Sequence, residues 1–340
     1  MEKKVKTYQG YKPPFTLSAK AVGMIADISA QMERFAIRME QSDGLMLRKA
    51  NRIKTIHSSL AIEGNTLLES EVADILDGKT VVAPIREIPE VKNAIRVYEE
   101  FEKLNPFSLD DLLRAHGLMM TALTDDCGHF RKGGVGVYSD TGLVHMAPPA
   151  EQVYPLMCDL FDWLKNADDH LLVRSCVFHY EFEFIHPFVD GNGRMGRLWQ
   201  SLILGLWKPT FVHLPVENMV YANQQAYYDA IAQSTKQGDC GPFIDFMLGE
   251  IQNAVQRHKV EPLNAPANVG VNVGVNVGVN EHKIIAIIAD NGNVTARALA
   301  EKIGISQRQV ERLLASLTKK QVIVREGADK NGYWKLNNIK

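Results

Sequence analysis

The segment from His186 to Arg197, which reads HPFVDGNGRMGR, constrains the fold of this chain more than any other feature. Pro187 disfavours helical geometry in the residue before it, so a helix that reaches this point ends near His186. Asp190 to Gly193 are four consecutive residues typical of turns, and a helical pattern resumes at about Arg194. The segment therefore predicts a helix, a tight loop and a second helix whose N-terminus faces that loop.

This loop is a candidate phosphate site. Consecutive turn residues can direct several backbone N–H groups into one concavity, and the positive end of a helix adds to the attraction for an anion. Arg194 and Arg197 share one face of the first turn, where cations oppose the helix dipole unless an anion is bound. Asp190 is an oxygen ligand suited to Mg²⁺, and His186 titrates near neutral pH. A solvated loop explains any one of these residues but not their combination.

The same segment resembles the signature of the Fic family, HxFx(D/E)GNGRxxR, and matches it at every defined position. The resemblance covers most of residues 1–260. It implies a mainly α-helical domain with a β-hairpin flap. It also implies an enzyme that moves AMP from ATP, with Mg²⁺ as cofactor, to Ser, Thr or Tyr hydroxyl groups of target proteins, the chain itself included. Glycine at position 193, where kinase-like members carry lysine, favours AMP transfer over kinase chemistry.

The resemblance assigns roles to individual residues. His186 is implied to be the general base and Asp190 the Mg²⁺ ligand. Tyr227 falls where the family places a residue of the adenine pocket. The other residues implied to bind ATP are Gly191, Asn192, Gly193, Arg194, Gly196 and Arg197. A hairpin predicted within residues 131–149 is implied to clamp the target through Val144, His145 and Met146.

A second match lies upstream, in SSLAIEGNT at residues 58–66. Ser59 and Glu63 are four residues apart and share a helix face. From this spacing alone, Glu63 is more simply a solvated surface residue. The stretch, however, resembles the inhibitory pattern (S/T)xxxE(G/N) of the family, which implies that Glu63 pairs with Arg197 and denies the γ-phosphate its partner. In some relatives the same glutamate assists removal of AMP, and the sequence leaves that open.

Residues 281–340 form a basic module, with a charge of +5 against −7 for residues 1–280, within a total of −2. Three helical patterns followed by an alternating pattern around a turn predict a winged helix-turn-helix. Its third helix offers Arg308, Gln309 and Arg312 as candidate DNA contacts, and a protein-docking module is the alternative.

The predicted division of the chain has four parts. Residues 1–100 are a helical region that contains an inhibitory helix at about 44–64, and residues 101–260 are the Fic-type catalytic core. Three VGVN repeats within residues 261–280 predict a flexible linker, with β-pairing against another chain as the alternative. Residues 281–340 are the winged helix.

The sequence also excludes several classes. No apolar run is long enough to span a membrane, the N-terminus lacks an apolar signal segment, and four widely spaced cysteines favour neither a disulfide framework nor a zinc site. We therefore expect a cytoplasmic protein with reduced thiols and no membrane partner.

The alternative to an enzyme is a DNA-binding regulator whose Fic-type domain senses nucleotide without turnover. Removal of AMP or transfer of another nucleotide also stays open. The sequence identifies neither the target protein nor the oligomeric state, and leaves homo-oligomers open.

Overall fold

The computed structural model describes residues 8, 10–41, 44–139, 142–257, 279–319, 322–326 and 333–337. They belong to two compact units, Met1–Val260 and Glu261–Lys340. The VGVN repeats lie outside the described residues, except for Val279 and Asn280, so the linker stays a prediction. Both units are mainly helical, which confirms the predicted fold class.

The first unit combines eleven described helices with one hairpin. The helices are α1 Ala19–Gln41, α2 Gly44–Ile62, α3 Glu69–Leu76, α4 Glu87–Glu99, α5 Leu109–Met119, α6 Ala150–Asn166, α7 Leu171–Ile185, α8 Asn192–Trp207, α9 Val216–Ala222, α10 Gln224–Gln237 and α11 Gly241–Arg257, and the strands are β1 Gly136–Ser139 and β2 Gly142–Met146. Short 3₁₀ turns cover Phe101–Lys103 and Pro209–His213. None of the described helices is both long and apolar enough to cross a lipid bilayer.

Helix α7 lies at the centre of this unit because its apolar residues surround the helix instead of forming one stripe. It packs mainly against α8, its neighbour in sequence. The Phe182 ring lies 5.9 Å from that of Phe178 and 6.1 Å from that of Phe188 in the connecting loop. On α8, the Trp199 indole is buried and donates to the Pro106 carbonyl at 3.0 Å. This packing fixes both ends of the loop that carries the signature.

The predicted hairpin is confirmed within residues 131–149. Strands β1 and β2 are antiparallel, with Gly136 opposite Met146, and the register shifts between Val137 and Tyr138. The turn residues Asp140 and Thr141 lie outside the described residues. At the base of the hairpin, Ala147 N–H donates to the Val135 carbonyl at 3.2 Å.

The second unit has the predicted winged-helix elements, α12 Val279–Asp290, α13 Ala296–Ile303, α14 Gln307–Lys319, β3 Ile323–Glu326 and β4 Tyr333–Leu336. The Thr295 hydroxyl caps α13 by accepting from Ala298 N–H at 3.2 Å, and Gly304 ends that helix with φ 78°. The core of the second unit contains buried side chains from all three helices, among them Ile284, Leu299 and Leu314.

Candidate active site

His186 ends α7 in a left-handed conformation, with φ 50° and ψ 62°. This region is costly for a residue with a Cβ, so the surrounding structure must hold it in place. The His186 N–H donates to the Phe182 carbonyl at 2.9 Å, and its carbonyl accepts from Arg131 Nε at 2.7 Å. The imidazole is partly exposed, with Nδ1 at 3.4 Å from the Glu183 carbonyl oxygen. Backbone contacts on both sides thus fix where the imidazole points.

Helix α8 begins at Asn192, two residues earlier than the sequence predicted. Gly191, with φ 87°, provides the left-handed residue at the turn. A Cβ there would lie 2.7 Å from Met120 Sδ, so glycine is required. Gly193 lies in the first helical turn and not in the loop. Its backbone N–H and that of Asn192 are among those that a helix leaves unpaired at its N-terminus.

The Asn192 side chain braces the loop. Its Oδ1 accepts from the Phe188 N–H, and its Nδ2 donates to the Phe188 carbonyl, both at 2.9 Å. One donor and one acceptor of the amide thus bind the Phe188 backbone. Asn192 was predicted to line an anion hole, and that role stays a prediction.

Asp190 lies between two arginines. Arg194 Nη2 donates to Oδ1 at 3.0 Å, and Arg86 Nη2 donates to Oδ2 at 2.7 Å. The Asp190 carbonyl lies 3.0 Å from His116 Nε2. Because His116 Nδ1 accepts from the Gly128 N–H at 2.9 Å, Nε2 carries the proton that the carbonyl accepts. Sequence reasoning missed both Arg86 and His116.

His116 supports the loop as a neutral ring. It stacks on Phe188 with ring centroids 3.6 Å apart. Burial lowers the pKa of His116 to about 4, against a usual value of 6.5. Because His116 lies on the buried face of α5, its neighbours in sequence do not indicate this role.

Arg194 is the most notable cation of the site because it is only 3% exposed yet incompletely paired. Its Nη2 binds Asp190, and Nη1 lies 3.8 Å from Glu90 Oε1, beyond hydrogen-bond distance. Both Nε and Nη1 have no hydrogen-bond partner among the described residues. Buried donors are nearly always paired, so these two nitrogens indicate a place for an acceptor from outside the chain.

The structure brings Glu63 and Arg197 together, although 134 residues separate them in sequence. Arg197 Nη2 donates to Glu63 Oε1 at 2.6 Å and to the Ser59 carbonyl at 2.9 Å, and Nε donates to Ser59 Oγ at 3.2 Å. Burial lowers the pKa of Arg197, but Glu63, Tyr227 and Glu183 together raise it by more, so the net shift is upward. Arg197 is a buried cation whose carboxylate partner is Glu63.

Glu63 itself lies one residue beyond the end of α2, not in its last turn as the sequence indicated. Its N–H donates to the Leu60 carbonyl at 3.0 Å, and Gly64 follows with φ 90°. A Cβ on Gly193 would clash with Glu63 Oε1. The Glu63 carboxylate therefore lies directly against the first turn of α8.

A third carboxyl group, Glu183, lies beneath the site, and its side chain is 12% exposed. Its oxygens lie 3.9 Å from His179 Nε2 and 3.9 Å from His186 Nδ1, and Oε1 has no hydrogen-bond partner among the described residues. Burial raises the pKa of Glu183 to about 8, and the Arg197 charge only partly opposes this. Glu183 is therefore mainly protonated at neutral pH.

Tyr227 lies in the core and not on an open wall. It is 2% exposed, and its hydroxyl lies 3.0 Å from His179 Nε2, whose Nδ1 lies 2.7 Å from Gln200 Oε1. The next residue, Tyr228, is 40% exposed. Contact of Tyr227 with adenine stays a prediction, and Tyr228 is the more accessible ring on α10.

Of the three flap residues, Val144 and His145 lie in β2, and their side chains are outside the described part of the chain. Met146, at the end of the strand, is exposed.

In the second unit, Arg308 is exposed on α14, and Gln309 Oε1 caps that helix by accepting from Ser306 N–H and Oγ at 3.0 and 3.1 Å. DNA contacts by Arg308, Gln309 and Arg312 stay predictions.

Comparison with known proteins places both units in families. A family model described as the Fic/DOC family matches residues 106–204, and one described as winged helix-turn-helix DNA-binding matches residues 280–324. The chain is 30% identical over 216 residues to protein adenylyltransferase fic-1 of Caenorhabditis briggsae, covering 60% of this chain and 40% of that protein. It is 29% identical over 206 residues to protein adenylyltransferase Fic of Nematostella vectensis, covering 56% and 45%. The chain thus spans less than half the length of these relatives.

Solved structures give a fuller match. A Fic family protein from Desulfovibrio desulfuricans is 39% identical and superposes with a TM-score of 0.70, covering 97% of this chain and 99% of that one. Fic-1 of Caenorhabditis elegans, at 23% identity and a TM-score of 0.56, shares the fold over 70% of this chain and 72% of its own. Because the 39% identical structure matches 97% of this chain, with the signature loop included, the chain belongs to the Fic family.

Proposed function

We propose that this chain is a protein adenylyltransferase that transfers AMP from ATP to hydroxyl groups of target proteins, and that Glu63 restrains this activity. Arg194 provides the main support. It is a buried guanidinium at the N-terminus of a helix, beside Asp190, and two of its nitrogens have no hydrogen-bond partner among the described residues. The relatives named protein adenylyltransferase support the choice of reaction.

The nucleotide phosphates fit the first turn of α8. The N-terminal N–H groups of the helix, the free donors of Arg194 and the lack of a side chain at Gly193 form a cradle for an anion. Arg197 lies one turn further along the helix, and its guanidinium would hold the outer phosphates once Glu63 moves away. This arrangement stabilises the charge of a departing pyrophosphate.

Asp190 would hold Mg²⁺, because its carboxylate is the hard oxygen ligand nearest the phosphate cradle. Bound Mg²⁺ would neutralise charge on the nucleotide phosphates. One oxygen of Asp190 now binds Arg86 and the other Arg194. Metal binding therefore competes with Arg86, whose side chain is 58% exposed and free to swing away.

His186 would act as the general base. Its partly exposed imidazole accepts the proton of the target hydroxyl as that oxygen bonds to the α-phosphorus of ATP and the bond to pyrophosphate breaks. The left-handed backbone at His186 turns the chain out of α7 at this residue, directly before the signature loop. Positioning of the base and charge neutralisation supply most of the rate.

The test is transfer of label from ATP marked at the α-phosphate, with Mg²⁺, by the Glu63→Gly protein. Label on the protein or in a lysate is expected, and it disappears in the Glu63→Gly, His186→Ala double variant. Glu63→Gln is the matched variant, because it keeps the shape of the side chain and removes its charge. If nucleotide binds but no label is transferred by either single variant, the proposal of AMP transfer is wrong.

A second candidate function rests on the C-terminal unit, where an exposed Arg308 lies on α14 within the region that matches a DNA-binding winged helix. This unit would dock on DNA and bring the enzyme to a nucleic-acid-bound target, or report nucleotide binding as a regulator. A gel-shift assay with and without ATP distinguishes recruitment of an enzyme from regulation by nucleotide binding. Sequence-specific binding without any AMP transfer favours the regulator.

A further inference from the structure

Arg131 lies outside the signature, follows the Gly128–Phe130 segment and is 3% exposed. Its guanidinium binds four backbone carbonyls at two separate places, and its own N–H binds a fifth. The bonds run from Nε to His186 O at 2.7 Å, from Nη2 to Ile185 O at 3.2 Å and to Pro148 O at 2.6 Å, from Nη1 to Gly133 O at 2.8 Å, and from the N–H to Pro187 O at 2.9 Å.

The charge of Arg131 is compensated by dipoles and not by an acid. Among the described residues, no carboxylate forms an ion pair with it. Ile185 and His186 carry the last carbonyls of α7, which form the negative end of the helix dipole. Burial lowers the pKa of Arg131, as expected for a cation without an acidic partner.

The carbonyls that Arg131 binds belong to two functional elements. Gly133 precedes β1 and Pro148 follows β2, so both ends of the flap hairpin are held by one guanidinium. Ile185 to Pro187 carry the general base at its left-handed turn. The planar fork of an arginine can donate in several directions at once, which a lysine cannot do.

We propose that Arg131 is a positioning residue that locks the flap and the His186 backbone into one unit, so that a hydroxyl presented by the flap meets the imidazole. This inference rests on the proposed function. Arg131 contacts none of the groups that would bind ATP, namely Asp190, Arg194 and Arg197. Its loss should therefore reduce the rate of transfer without weakening nucleotide binding.

The test compares Arg131→Lys and Arg131→Met with Arg174→Lys and Arg174→Met, all in the Glu63→Gly protein. Arg174 is a matched control. It lies near the start of α7, its Nη1 donates to the Leu164 carbonyl of α6 at 2.7 Å, and burial also lowers its pKa. Three quantities are measured, namely kcat for AMP transfer, the dissociation constant of a non-hydrolysable ATP analogue, and amide hydrogen exchange of residues 133–148.

For both Arg131 variants, we expect kcat to fall about 100-fold, the size of effect that a small misplacement of a catalytic group produces. The dissociation constant of the analogue should stay within about threefold, and exchange in the flap should accelerate, whereas the Arg174 variants change neither kcat nor flap exchange. The inference is overturned if Arg131→Lys behaves like Arg174→Lys, or if ATP binding is lost in parallel with kcat. An inactive Glu63→Gly parent refutes the proposed function instead, and the exchange measurement then decides the role of Arg131 alone.

Discussion

The contact between Glu63 and Arg197 allows a quantitative prediction for Glu63→Gly. The pair is joined at 2.6 Å, with Arg197 buried and the Glu63 side chain 32% exposed. A hydrogen bond to a charged group contributes roughly 1.5–3 kcal/mol, and partial exposure of Glu63 places this pair near the lower end, at about 2 kcal/mol. Since about 1.4 kcal/mol corresponds to a tenfold change, the free fraction of Arg197 should rise about 30-fold.

The initial rate of transfer from ATP labelled at the α-phosphate measures this release. At subsaturating ATP, Glu63→Gly should label between about 10 and 100 times faster than the unaltered protein, and Glu63→Gln should follow it closely. Ser59→Ala is the matched comparison, because it removes only the 3.2 Å bond from Nε and leaves the backbone carbonyl in place. Its rate should rise by a few-fold at most, because this bond is long and Arg197 keeps both the Glu63 carboxylate and the Ser59 carbonyl.

Stability provides an independent check of the same contact. Glu63→Gly leaves the buried Arg197 without a carboxylate, so the free energy of unfolding should fall by about 1–3 kcal/mol. ATP should restore part of this loss, because its phosphates replace the missing anion. The reasoning is refuted if Glu63→Gly and Ser59→Ala increase the rate equally, or if the Glu63 variant is as stable as the unaltered protein in the absence of ATP.

Three further predictions concern the surroundings of this pair. Burial raises the pKa of Glu183 from 4.5 to about 8. Between these two pH values the folded protein binds a proton at Glu183 that the unfolded chain has lost, so the free energy of unfolding falls as the pH rises. Glu183→Gln should flatten this slope in urea unfolding measured between pH 5 and 8, and an unchanged slope would contradict the assignment. Arg86→Met should lower the half-saturating Mg²⁺ concentration of AMP transfer about two- to fivefold, the value of an exposed ion pair, while Arg297→Met, which loses an exposed pair in the second unit, should leave it unchanged. Tyr227→Phe should cost about 1–3 kcal/mol in denaturant unfolding, because it leaves the buried His179 Nε2 without its donor, and a neutral result would show that this hydrogen bond does not form.

The sequence predicted the parts of the site that depend on local chemistry. The turn residues between α7 and α8 determine where α7 ends and where α8 begins. The loop could therefore be predicted from the segment His186 to Arg197 without any other part of the sequence. The predicted start of α8 was two residues too late, because Gly191 is the left-handed residue before the helix and Asn192 already adopts helical geometry. Periodicity cannot resolve such a boundary.

Contacts between distant segments could not be predicted in this way. The pairing of Glu63 with Arg197 was expected only from the resemblance to a family, since spacing alone favoured a solvated glutamate. Arg86 lies in a connection without periodic pattern, and nothing in its neighbours indicates that it reaches Asp190 across 104 residues. Helix α3 has only eight residues, too few for periodicity to identify it within the helical region predicted for residues 1–100. Tertiary packing determines these features.

Arg197 also binds the Ser59 carbonyl, and this contact limits how far substitutions can release its guanidinium. A backbone acceptor is present whatever side chain occupies position 59, so no substitution there or at position 63 abolishes the whole restraint on the guanidinium. Substitutions at positions 59 and 63 can therefore raise the resting activity of the enzyme only in part. Complete release requires the end of α2 to move away from α8, and a partner that pulls on that helix would control a wider range of activity than any change of sequence at Glu63.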